Sequence, residues 1–327
     1  MALALAAAAW HGSGVVRAAG ATWAPFLTLG IVIGAGLALD AAGVFRLLAR
    51  LLMPAAAPAW LVSAGALGFT ALLSSLVNLD VAVVVALPMV LVVARERSLP
   101  APALALAAAL TANATSFLLP TSNLTTLLVL QHAPLGAAAY LREAWLAWLL
   151  VTALTVPALT LLVHGLPGTR RSRTRGAVPA GSRGTRPAGD RPPRITPVQA
   201  LMAVLDLAPL FVAAVAIRAL LGGGVAIQGG VLRGLGIAGG LAAGVNNLPA
   251  AASVVATQRT SAWGAILGLA LGPNLVLTGS VASLIARRIA RDGSAGFGAV
   301  RFSLVGVTIL PLQILLALLG LRLTGAL

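Results

Sequence analysis

The chain has 327 residues, of which 59% are hydrophobic and only 9% charged, with a mean hydropathy of +1.01. A soluble domain is roughly half apolar and about a quarter charged, so a water-soluble globule is excluded. The net charge of +15 comes from 22 arginines without a lysine, and cysteine is absent, which excludes disulfides, thiolate metal sites and a Cys nucleophile.

Met1–Trp10 is apolar without a basic leader and reads as the stub of an upstream helix or a weak signal-like segment. Thr22–Phe45 is the first predicted span, ending at Arg46 and Arg50. Ala59–Val77 follows, then a polar break at Asn78-Leu79-Asp80, then Val81–Ala94 closed by Arg95-Glu96-Arg97. Ala101–Asn113 is apolar, Ala114 to Asn123 interrupts it through Leu119-Pro120-Thr121-Ser122, and Leu124–Leu130 resumes. Tyr140–His164 is a further span. Residues 166–198 carry eight arginines, one aspartate and six prolines, and predict a disordered basic linker.

The same order recurs after the linker. Ala200–Leu221 is a span, and Gly222–Arg233 a glycine-rich loop. Gly234–Val245 is an arm broken at Asn246-Asn247-Leu248-Pro249 and continued by Ala250–Ala256. Ala262–Leu271 is interrupted from Gly272 through Asn274 and Thr278-Gly279-Ser280, resumes at Val281–Ile289, and Phe297–Leu321 is the last span. Apolar stretches of about 20 residues are bilayer spans. The reading is therefore an all-α polytopic membrane protein of two inverted repeats, each with a re-entrant helical hairpin and an interrupted transmembrane helix. Repeat one covers 1–165, with its hairpin at about 59–94 and its interrupted helix at about 101–131. Repeat two covers 199–327, with the hairpin at about 234–257 and the interrupted helix at about 262–290.

Charge agrees with this layout. If each broken pair returns to its starting side and each interrupted span crosses, sixteen arginines, including those of the linker, fall on one side and six on the other. The arginine-rich side is the cytoplasm, so the reading is a multi-pass bacterial inner-membrane protein with segment 166–198 cytoplasmic and no role for nucleic acid.

A Pro, Gly or Asn break inside an apolar helix is costly unless the freed backbone groups line a cavity or a buried site. Paired breaks present half-helix N-termini and unwound carbonyls to a small solute and a coupling ion. Asn78, Asn113, Asn246, Asn247 and Asn274 supply amides that donate and accept. The further candidates are Thr121, Ser122, Asn123, Thr278 and Ser280. Asp80 is the one carboxylate at a hairpin tip, matched by Leu248 or Pro249 in the second half. An ionisable group at that depth is functional by default, so Asp80 is the candidate for proton coupling or for holding Na⁺.

Asp40 and Asp206 near span ends read as interfacial, and Arg142–Glu143 as an external interfacial pair. The glycine-rich run from Gly236 to Gly244 permits close helix packing. No catalytic constellation, metal-ligand spacing or nucleotide loop appears, so no enzyme activity and no cofactor beyond H⁺ or Na⁺ is expected. The expected partners are membrane lipid and a small inorganic or anionic solute, with a homodimer and a soluble ATPase partner left open.

The segments Ser75–Val84, Leu118–Thr125, Val245–Ala250 and Leu271–Leu284 resemble the bacterial arsenite/antimonite efflux permeases. That family belongs to an ion transporter superfamily that includes Na⁺-coupled divalent-anion symporters and some Na⁺/H⁺ antiporters. The resemblance implies proton-coupled export of arsenite or antimonite, with Asn78, Asp80, Ser122, Asn123, Asn246, Asn247, Asn274 and Ser280 lining the site. A Na⁺-coupled dicarboxylate or inorganic-anion carrier, or a Na⁺/H⁺ antiporter, is the alternative. A passive channel or a non-transporting membrane scaffold ranks below both.

Overall fold

The computed structural model describes residues 56–165 and 224–327, with isolated positions between 15 and 47 and between 212 and 219. Met1–Trp10, Asp40, Asp206 and the basic segment 166–198 lie outside the described residues, as do most of the predicted spans at 22–45 and 200–221.

The described chain is mostly helical. Helix α1, Ala59–Leu76, follows Pro58, whose fixed φ suits a helix entry. It ends two residues before α2, Leu79–Glu96, because Asn78 turns extended and accepts the Asp80 backbone N–H with its side chain. The two helices pack on each other, and beyond their open ends the Arg97 guanidinium donates to the Ala57 carbonyl. This is a closed helical hairpin. Helix α3, Ala101–Ala114, is apolar on every side except at Thr111 and Asn113, and every residue from Ala103 to Ala114 is buried, as so apolar a helix requires. A 3₁₀ turn, Pro120–Ser122, separates it from the short α4, Leu124–Leu130. Helix α5 spans Ala137–Gly165.

The second half has the same order. Strand β1, Val225–Ile227, precedes α6, Val231–Val245. Helix α7, Asn247–Ser253, runs into strand β2, Val254–Ala256, and β2 pairs in parallel with β1. The chain was expected to be all-α and Ala250–Ala256 to be one helical arm; the last three residues instead take strand geometry. The pairing closes this hairpin at its open end, where the Gln258 side chain also accepts the Gly229 N–H at 3.3 Å. Helix α8, Arg259–Leu271, is followed by 3₁₀ turns at Gly272–Leu275 and Leu277–Gly279, then α9, Val281–Asp292, and α10, Ala299–Leu323.

Glycines set the contact of α6 with α8. A Cβ on Gly264 would lie 2.1 Å from the Val231 carbonyl, and one on Gly268 would lie 2.6 Å from the Leu235 carbonyl. The tight approach is thus made by Gly234, Gly264, Gly268 and Gly272 together with Gly239 of the expected run, whose Cα a Cβ on Gly272 would meet at 2.8 Å, while Gly236, Gly240 and Gly244 meet nothing within 4 Å.

The halves interleave: α2 packs against α9, α7 packs against α4, and α5 lies along α10. Among the described residues α1, α5 and α10 are long and apolar enough to cross a bilayer. Outward positions such as Leu161, Leu304 and Leu315 are exposed apolar side chains, the surface that lipid solvates.

Candidate functional site

Four helix starts, those of α2, α4, α7 and α9, follow the four breaks. Three are closed by an asparagine in the same manner. Asn78 accepts the Asp80 N–H at 2.9 Å, Asn123 the Thr125 N–H at 3.1 Å and Asn246 the Leu248 N–H at 3.2 Å. Each such cap stabilises by about 1 kcal/mol.

The two hairpin tips also share a second bond. Asn78 Nδ2 donates to the Thr121 carbonyl at 3.2 Å, and Asn246 Nδ2 donates to the Thr278 carbonyl at 3.0 Å. In each half the tip is therefore tied to the break of the interrupted helix. By these shared bonds Asn246, and not Asn247, is placed at the second tip as Asn78 is at the first, with Leu248 two residues on where the first tip has Asp80. The backbones differ, since Asn246 sits at φ +88°, a conformation that costs a non-glycine residue about 1–3 kcal/mol. Thr121 and Thr278 keep exposed side chains beside the carbonyls they offer.

The fourth start is different. Ser280 caps α9 only by position: its side chain makes no capping bond, it is buried, and its hydroxyl has no partner among the described residues. The first-turn N–H groups of α9 thus lack the side-chain acceptor that the other three starts possess. Asp80 lies in the first turn of α2, the helix packed on α9, and is only partly buried. Among the described residues its carboxylate makes no hydrogen bond or ion pair.

The remaining predicted residues fall into two groups. Ser122 is buried, and its hydroxyl lies within hydrogen-bond reach of the Ser116 carbonyl at 2.9 Å and the Leu119 carbonyl at 2.7 Å. Asn274 is fully buried, donates to the Leu110 carbonyl at 3.2 Å and accepts from Asn113 at 3.0 Å. The amides of Asn78, Asn123, Asn246 and Asn274 are all taken up by protein groups. Asn247 is the exception, a buried first residue of α7 whose amide makes no hydrogen bond among the described residues.

Glu143 was expected to pair with Arg142 at an external interface. It is buried and pairs instead with Arg259 at the start of α8, while Trp263 Nε1 donates to it at 2.8 Å. Arg142 and Glu143 are consecutive on α5, and neighbours in a helix point about 100° apart, so they do not face each other. Trp263 stacks on Tyr140 with ring centroids 4.9 Å apart. Asn113, Ser116, Ser283 and this Glu143 cluster are polar features that local sequence order did not assemble; the signal available for Asn113 was a lone amide in an Ala/Leu helix.

Residues 1–298 match the model of a protein family described as citrate transporter (CitMHS). The chain belongs to that family. Membership makes this citrate transporter family member a membrane carrier of an ion transporter family, of citrate or anion type. It agrees with the anion-carrier alternative and gives arsenite efflux no specific support. No curated protein matches the chain.

Proposed function

We propose that the chain is a secondary carrier that moves a small carboxylate anion, of the citrate class, across the bacterial cell membrane, coupled to H⁺ or Na⁺ at Asp80. The observation that carries this reading is the unequal capping of the four breaks. At the α9 start a positive helix end and a buried, unpartnered Ser280 hydroxyl offer donors to an anion. At the α2 start, Asn78 closes the end and Asp80 adds a negative charge suited to a cation. An anion and its coupling cation thereby have one receptor each on two helices that pack together.

The inverted repeat with re-entrant hairpins belongs to the same reading. It is supported by the closed ends of both hairpins and by the matched Asn78–Thr121 and Asn246–Thr278 bonds. Contacts between elements also respect the predicted sides: Glu143 with Arg259 and Thr324 on one, Arg95 with Gly293 and Ser63 with His164 on the other. A neutral polyhydroxy solute such as arsenite is less well served, since four of the five tip and break amides are occupied.

The test is uptake into proteoliposomes under imposed pH or Na⁺ gradients, with citrate, succinate, arsenite and antimonite offered side by side. Gradient-driven accumulation of a carboxylate, abolished by Asp80→Asn, is expected. Accumulation of arsenite alone, or equilibration of carboxylate without accumulation, overturns the reading.

A further inference from the structure

A hydrogen-bond chain runs from the first interrupted helix to the second, and Asn113 is its midpoint. Asn123, the cap of α4, donates to the Ser116 hydroxyl at 2.9 Å, and that hydroxyl donates to the Asn113 backbone carbonyl at 2.9 Å. The Asn113 side chain then spends both amide protons across the boundary between halves. One goes to Asn274 Oδ1 at 3.0 Å and the other to the Ser283 hydroxyl at 2.8 Å. Ser283 lies three residues after Ser280, one turn along the same side of α9.

The contact has no slack. Asn274 is held from one side by the Leu110 carbonyl of α3. From the other side α10 presses on it at Gly306, where a Cβ would come within 1.7 Å of the Asn274 carbonyl. Asn113 is 1% exposed and sits in a helix otherwise built of alanine, leucine and threonine through its buried length. Its own Oδ1 is left without a donor among the described residues. A network with an unsatisfied buried acceptor is a poor stabiliser compared with apolar packing, so its use here calls for a purpose other than stability.

We infer that Asn113 is a positioning residue for transport: through Ser283 it sets where the first turn of α9, and with it Ser280, stands against the first half. The inference rests on Ser280 being the anion-receiving group, and the route it uses joins the cap of one interrupted helix to the first turn of the other.

The chain lacks cysteine, so a single Ser280→Cys substitution gives a unique thiol whose maleimide labelling in proteoliposomes reads the local opening of the α9 start without any substrate. Ser283→Ala and Asn113→Asp are each expected to speed that labelling roughly tenfold, about what losing one net hydrogen bond releases to local opening. Gln313→Leu, which removes an equally buried bond to Thr155 between α5 and α10, is expected to leave it unchanged. In the native Ser280 background the first two variants raise the KM for citrate while the maximal rate stays within about twofold. Unchanged labelling in both variants, or an equal rise in Gln313→Leu, overturns the inference. Absence of citrate uptake by the unsubstituted chain would count against the carrier reading alone, because the labelling comparison does not depend on it.

Discussion

Ser280→Ala separates binding from stability with opposite signs. In the structure the Ser280 hydroxyl is buried and unpartnered, and an unsatisfied buried polar group costs about 1–3 kcal/mol. Replacing it by a methyl group removes that cost, so the substrate-free protein is expected to gain about 1 kcal/mol, a rise of roughly 1–2 °C in unfolding temperature for a chain of 327 residues. The same hydroxyl, donating to a bound carboxylate, makes a charge-assisted bond worth about 1.5–3 kcal/mol. At 1.4 kcal/mol per decade its loss weakens citrate binding by roughly 10- to 150-fold. Citrate uptake kinetics in proteoliposomes and thermal unfolding of the purified protein measure the two effects on one preparation. A KM unchanged within threefold, or an unfolding temperature that falls, refutes the assignment of an open receptor to the α9 start.

Three further outcomes follow from the packing. Asn246→Ala is expected to cost more than its counterpart Asn78→Ala by about 1 kcal/mol in thermal unfolding, since both lose a cap but only Asn246 leaves an alanine at positive φ; Asn246→Gly should recover most of that difference. Gly264→Ala brings a methyl group against the Val231 backbone, and overpacking costs about 1–3 kcal/mol, expected at the upper end here because only backbone movement can relieve it, and seen as loss of folded protein in size-exclusion profiles. Glu143→Leu leaves the Trp263 N–H without its acceptor, while Arg259, 43% exposed, turns to water. The expected loss is therefore about 1–3 kcal/mol, below the 3–5 kcal/mol of a fully buried broken pair, and a double-mutant cycle with Trp263→Phe measures it.

Much of the local framework was legible in the residues. Asn78, Asn123 and Asn246 stand between apolar runs, and an asparagine there caps the helix that follows through a bond to a group two residues away, so sequence order alone places it. The expected breaks at Pro120–Ser122 and Gly272–Leu275 appear as 3₁₀ turns for the same local reason. The conversion of Val254–Ala256 to a strand was not legible, because it depends on the Val225–Ile227 backbone lying alongside.

Composition and order by themselves determined that this chain lives in lipid, that its apolar runs are broken twice before the basic segment and twice after it, and that Asp80 is the one carboxylate within those breaks. These follow from hydropathy, from the cost of unsatisfied backbone in a bilayer and from the bonds that short side chains make to their own neighbours. Only the tertiary structure decided that Asn246 rather than Asn247 answers Asn78, that Glu143 faces Arg259 rather than Arg142, that Asn113 reaches Asn274 and Ser283, and that Ser280 alone among the four caps is left open. Each of these depends on how distant helices approach one another. That approach is governed by close contacts such as those at Gly264, Gly268 and Gly306, which no local pattern encodes.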